Sequence, residues 1–122
     1  MNKNRILIVD DEVNQGLMYE QELEDEGYDV DVANSGPEAL ELVNQKPYDL
    51  VVLDIGMPDM DGLETLGRML SMNNKLPVIL NTAYPSYKDN FMSWAADAYV
   101  IKSSDLTELK ARIKTSLDKK NG

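Results

Sequence analysis

Short apolar runs alternate with longer amphipathic segments five times along this chain, and that alternation limits the fold more than any other feature. Arg5-Ile6-Leu7-Ile8-Val9, Asp49-Leu50-Val51-Val52-Leu53, Pro77-Val78-Ile79-Leu80-Asn81 and Ala98-Tyr99-Val100-Ile101 are brief and nearly continuous in apolar character. Such runs suit parallel strands buried on both faces. Tyr28 to Ala33 alternates valine with aspartate, which suits an edge strand. The intervening segments have helical spacing. Val13 to Glu26 carries a thin stripe of Leu17, Met18, Tyr19 and Leu23, closed by Gly27. Ser35-Gly36-Pro37-Glu38 forms a capping box before Ala39, Leu40, Leu42 and Val43. Asp61 with Glu64 opens a helix bearing Leu63, Leu66, Met69 and Leu70. Ser86 with Asp89 opens a fourth, carrying Phe91 and Trp94. Asp105 with Glu108 opens a fifth, with Leu106, Leu109, Ile113 and Leu117 on one face and Lys114, Lys119 and Lys120 toward its end.

Strands and helices that alternate in this way predict a single-domain α/β fold, a parallel five-stranded sheet with helices on both faces. Residues 4–118 should form the domain, and residues 119–122 a frayed tail. Ligands of open parallel sheets sit beyond the carboxyl ends of the strands. Only a few residues occupy those places: Asp10, Asp11 and Glu12 after the first strand, Asp54 after the third, Thr82 after the fourth and Lys102 after the fifth. Two like charges ~4 Å apart repel by about 4 kcal/mol at an effective dielectric of 20, so clustered carboxylates need a counter-charge or must take up protons. Lys102 supplies one positive charge. Hard oxygen ligands without histidine or thiolate point to Mg²⁺, Mn²⁺ or Ca²⁺. Mg²⁺ is commonly held by one or two carboxylates, waters and phosphate oxygens, so a phosphoryl group would complete the site. An aspartate in that setting is a reasonable nucleophile toward phosphorus.

Composition narrows the chemistry. The 122 residues contain no cysteine and no histidine, which excludes disulfides, thiolate chemistry, a Ser-His-Asp triad and a phosphohistidine on this chain. The net charge of −10 disfavours direct nucleic-acid binding. From Ile6 to Gln45 there are twelve acidic residues and no lysine or arginine, mostly a solvated acidic face. No apolar run approaches a membrane span and Met1-Asn2-Lys3-Asn4 does not begin a signal peptide, so the cytoplasm is the expected location. Asp59-Met60-Asp61-Gly62 fails as a calcium loop, because positions 1 and 12 of that register are Met57 and Arg68. Gly62 to Gly67 has P-loop glycine spacing but leads into Arg68-Met69.

The strings ILIVDDE, DLVVLDIGMPDMDGLE, PVILNTAY and AYVIKS resemble, in order and spacing, the signature segments of response-regulator receiver domains. The resemblance implies the flavodoxin-like, doubly wound strand order 2-1-3-4-5. It implies Asp54 as phosphoacceptor, with Mg²⁺ held directly by Asp11, Asp54 and the Gly56 carbonyl, and by Asp10 through water. Thr82 and Lys102 would contact the phosphoryl group, and Thr82 and Tyr99 would form the switch. A histidine kinase or histidine phosphotransfer protein, or a small donor such as acetyl phosphate, would supply the phosphoryl group. Output to a downstream protein or a second copy would run through the face of the fourth helix, fifth strand and fifth helix. The domain would then modify itself rather than turn over an external substrate. An aspartate-nucleophile phosphatase and a constitutive, unphosphorylated interaction module are the competing readings. Against the first, Gly56 stands where such phosphatases usually place a second aspartate. Four positions depart from the family pattern. Gly56 and Tyr84 occupy positions that influence access of water to the acyl phosphate. Ala95 stands where a glycine commonly closes the fourth helix. Ser103 replaces the usual proline after Lys102, which predicts a trans Lys102–Ser103 peptide, since cis costs about 2.5–4 kcal/mol before a residue other than proline.

Overall fold

The structure, a computed structural model, describes residues 3–56, 62–83 and 95–121, with backbone alone for 120 and 121. Within these segments the strands are β1 (Arg5–Val9), β2 (Asp29–Ala33), β3 (Leu50–Leu53), β4 (Val78–Thr82) and β5 (Ala98–Ile101). The helices are α1 (Val13–Asp25), α2 (Gly36–Gln45), α3 (Gly62–Met72) and α4 (Thr107–Asn121). The helix expected from Ser86 and the expected cap Asp61 lie outside the described residues. The sheet is parallel throughout, in the order β2-β1-β3-β4-β5. The expected strand order is therefore the observed one.

The period of two along each strand divides the core. Leu7, Val9, Val51, Leu53, Val78 and Leu80 face α2 and α3, where Ala39, Leu63, Leu66 and Met69 are buried against them. Ile6, Ile8, Leu50, Val52, Ile79 and Val100 face α1 and α4, where Tyr19, Leu23, Leu106, Leu109, Ile113 and Leu117 close the second layer. Lys110 on α4 ties these two helices across their charge difference, reaching Glu22 at 3.2 Å and Glu26 at 3.7 Å.

The helix ends follow their local signals. Gly27 takes φ +97°. Its N–H donates to the Glu24 carbonyl and that of Tyr28 to the Leu23 carbonyl, a Schellman closure of α1. Ser35 Oγ accepts from the Glu38 N–H at 3.2 Å, while Glu38 Oε1 reaches back one residue further than a capping box requires, to the Asn34 N–H at 2.7 Å. Asp105 Oδ1 accepts from both the N–H and the hydroxyl of Thr107 at the start of α4.

Two expectations need correction. The inward stripe of α1 is Gly16, Tyr19 and Leu23, whereas Leu17 and Met18 are exposed at 53% and 40%. Successive residues on a helix turn by about 100°, so Leu17 and Met18 cannot share the face set by Tyr19 and Leu23. β4 extends one residue further than expected and includes Thr82, because the parallel ladder with β5 continues to the Thr82–Ile101 pair. α4 runs to Asn121.

Candidate functional site

The ladders that form the sheet also align the ends of its strands. The Asp10 N–H donates to the Ala33 carbonyl and the Asp54 N–H to the Val9 carbonyl, both at 3.0 Å. The Lys102 N–H donates to the Thr82 carbonyl at 2.7 Å. Main-chain bonds therefore bring residues 10, 54 and 102 to the carboxyl end of the sheet before any side chain contributes. Asn34 steadies the first of them, its amide donating to the Asp10 carbonyl at 3.0 Å.

Lys102 Nζ stands 3.0 Å from Asp10 Oδ2 and 3.1 Å from Asp54 Oδ2. Its third donor goes to Gln15 Oε1, at 2.7 Å. The other carboxylate oxygens are used as well. Asp10 Oδ1 accepts from the Glu12 N–H at 2.9 Å, and Asp54 Oδ1 from the Gly56 N–H at 3.0 Å. Asp10 is 2% exposed and Asp54 8%. Burial pushes the Asp10 carboxyl above its usual pKa, and the Asp54 charge adds to that, against the opposing Glu12 N–H and Lys102. Burial also works against the charge on Lys102, but its bonds to Asp10 and Asp54 outweigh that and hold the ammonium above its ordinary value.

Asp11 completes an acidic group. One carboxylate oxygen from each of Asp10, Asp11 and Asp54 lies within 4.8 Å of the others. One ammonium faces three carboxylates, so the group keeps an excess of negative charge, and its oxygens fit a hard divalent cation. The cleft above them, about 310 Å³, is lined by Asp11, Glu12, Gln15, Asp54, Gly56, Ala83 and Lys102.

The sequence-predicted residues are thus largely gathered: Asp11, Asp54, Gly56 and Lys102 line one cleft, and Asp10, itself buried, joins them through its bond to Lys102. Thr82 is fully buried at the end of β4, and the next residue, Ala83, is the one that lines the cleft. Tyr99 is half-buried in β5 and packs against the layer that contains α2 and α3. Glu12 is the N-cap residue of α1 without a side-chain cap bond. Met57, Tyr84 and Trp94 lie outside the described residues. The Lys102–Ser103 peptide is trans, as expected, and the Ser103 hydroxyl accepts from the Asp105 N–H at 3.1 Å.

Gln15 and Asn34 were not legible as site residues. The only sequence signal for Gln15 is its place in the first turn after the acidic triplet. Gly62 also supports the site through backbone approach. A Cβ there would collide with Ile55 Cα and come within 2.7 Å of the Asp54 carbonyl. Glycine therefore lets α3 begin directly against the segment that carries Asp54.

Comparison with known proteins agrees with this architecture. A family model described as response regulator receiver domain matches residues 6–114. The response regulator ArlR of Staphylococcus saprophyticus is 40% identical over 115 residues, which cover 93% of this chain and 52% of that protein. The chain spans about half the length of the first curated relatives it matches. Among solved structures, the response regulator TrrA of Thermotoga maritima in complex with Mg²⁺-BeF superposes with a TM-score of 0.90 at 45% identity, over 93% of this chain and 98% of that one. A crystal structure of histidine kinase ThkA in complex with TrrA matches with a TM-score of 0.88 at 46% identity, over the same shares of the two chains. With its fold, the ordered strand-end residues and these matches in agreement, the chain belongs to the response regulator receiver domain family.

Proposed function

We propose that this receiver domain accepts a phosphoryl group on Asp54 in a Mg²⁺-dependent reaction and signals through the resulting change in its surface. The observation that carries this reading is the Lys102 ammonium shared by two buried carboxylates within a group of three. Asp11, Asp54 and the Gly56 carbonyl would hold Mg²⁺ directly, with Asp10 acting through water. The bound ion supplies charge neutralisation for the phosphoryl oxygens.

An Asp54 carboxylate oxygen attacks the phosphorus of the donor in line. The new O–P bond forms as the bond from phosphorus to the donor nitrogen or oxygen breaks, and the leaving group keeps that electron pair. Lys102 exchanges its bond to Asp54 Oδ2 for one to a phosphoryl oxygen. Thr82 would supply a further hydrogen bond. Hydrolysis reverses the modification: water attacks phosphorus, the Asp54 carboxylate departs, and inorganic phosphate and a proton are released.

The TrrA structure with Mg²⁺-BeF and the ThkA–TrrA complex support the metal and a histidine kinase as donor. Val13 and Leu17, one turn apart on α1, are 57% and 53% exposed, on the helix whose first turn lines the cleft. They offer the donor an apolar footing beside Asp54. Output is assigned to the face of the expected fourth helix (outside the described residues), β5 and α4, which is the expected fifth helix, through Tyr99 and toward a downstream protein or a second copy. Incubation with acetyl phosphate and Mg²⁺ should add one phosphoryl group by mass spectrometry. The Asp54→Ala variant should add none, and an unchanged yield in that variant would refute the assignment.

A further inference from the structure

Gln15 lines the cleft, yet the proposed chemistry gives it no task. It is the third residue of α1, where a glutamine ordinarily turns back to the N–H of the N-cap residue. Here that N–H belongs to Glu12 and is already held by Asp10 Oδ1 at 2.9 Å. Gln15 reaches across the cleft instead. An ammonium can only donate, so it is the amide oxygen that faces Lys102, and the 2.7 Å contact is the shortest of the three that Nζ makes.

The three partners of Lys102 differ in what phosphorylation asks of them. Asp54 gives up a carboxylate oxygen to phosphorus. Asp10 would serve the cation through water. Gln15 is neutral and has neither demand on it. We infer that Gln15 is a positioning residue, which keeps the Lys102 ammonium over Asp54 while both carboxylates change partners, and so sets the rate at which the phosphoryl group is accepted. This rests on Asp54 being the acceptor. Gln15 is not a metal ligand, so its effect is on phosphoryl uptake rather than on Mg²⁺ binding.

The test measures phosphoryl uptake from acetyl phosphate by mass spectrometry, with each variant at its own saturating Mg²⁺. Gln15→Met keeps a similar length and removes the acceptor. Its uptake should slow by about tenfold, on the scale of displacing a catalytic group by a fraction of an ångström, while Mg²⁺ affinity stays within about twofold. In a Lys102→Ala background, Gln15→Met should cause no further slowing, because its effect is transmitted through the lysine. A direct view comes from the ¹⁵N–¹H signal of the Lys102 ammonium. It should be slow to exchange in the wild type, lost in Gln15→Met and recovered in Gln15→Glu, which restores an oxygen acceptor. Wild-type uptake in Gln15→Met, equal slowing in both backgrounds, or an unaltered ammonium signal would each overturn the inference. A wild-type protein that takes no phosphoryl group on Asp54 would instead overturn the function on which it rests, and the inference with it.

Discussion

Two regions of this molecule pair a lysine with an aspartate at nearly the same distance, and they behave in opposite ways. On the edge strand, Asp31 Oδ2 accepts from the Tyr48 hydroxyl at 2.7 Å and from Lys46 Nζ at 3.2 Å. Burial pushes the Asp31 carboxyl up, but the tyrosine and lysine outweigh it and hold the group below its usual pKa. The same cluster pushes the Tyr48 hydroxyl upward, through burial and its bond to Asp31. At the carboxyl end of the sheet, Lys102 is divided among Asp10, Asp54 and Gln15, with Asp11 close by, and the Asp10 carboxyl is pushed up. The difference is one of stoichiometry and burial. One half-exposed carboxylate with a hydroxyl and an ammonium is complete. Three carboxylates around one ammonium, two of them deeply buried, remain short of positive charge. An ion pair that is satisfied holds structure, whereas one that is over-supplied with acid fits a divalent cation.

Removing each lysine should separate the two regions most widely. Lys102→Ala leaves two buried carboxylates without their counter-ion and should cost about 3 kcal/mol in metal-free buffer. Lys46→Ala breaks a pair whose members are both substantially exposed and should cost under about 1 kcal/mol. Urea unfolding of both variants measures the gap, and equal losses would erase the distinction between the two regions.

Mg²⁺ should act on one region alone. At about 100 times its dissociation constant, a ligand that binds only the folded state adds about 2.7 kcal/mol. That gain should appear as a rise in melting temperature in the wild type, persist in Asp31→Ala and vanish in Asp11→Ala. A full response in Asp11→Ala would move the cation elsewhere.

A third comparison sharpens the edge-strand side. Tyr48→Phe removes one hydrogen bond to a carboxylate and should cost about 1 kcal/mol near pH 7. Asp31 has its folded-state pKa below its ordinary value of 3.8, so its contribution is complete above pH 3.8 and is lost as pH falls through the folded value. The deficit of Tyr48→Phe should therefore shrink on acidification below pH 3.8. Asp10 has the opposite sign. Its raised pKa gives a stability term present below 3.8 and lost as pH rises through the folded value. A deficit in Tyr48→Phe that does not change with pH would show that the tyrosine acts by packing alone.

Much of this was legible from the chain alone, for local reasons. Strand and helix periods are properties of neighbouring residues, and so are the Gly27 closure and the Ser35–Glu38 cap. Once the elements alternate as parallel strands and helices, the residues after each strand must meet at one end of the sheet. Asp10, Asp11, Asp54 and Lys102 could therefore be named without coordinates. The tertiary structure decided how those residues divide their hydrogen bonds. Lys102 and Gln15 are 87 positions apart, and neither gives any local sign of the other. Asp31 read as one more acid on a solvated face until the fold set Tyr48 and Lys46 against it. Leu17 and Met18 likewise read as core, and only the packing of α1, with Gly16, Tyr19 and Leu23 inward, left them in solvent. Periodicity is written in sequence because it repeats over a few residues. Partnership between side chains is not, because it depends on distances that exist only after the chain has folded.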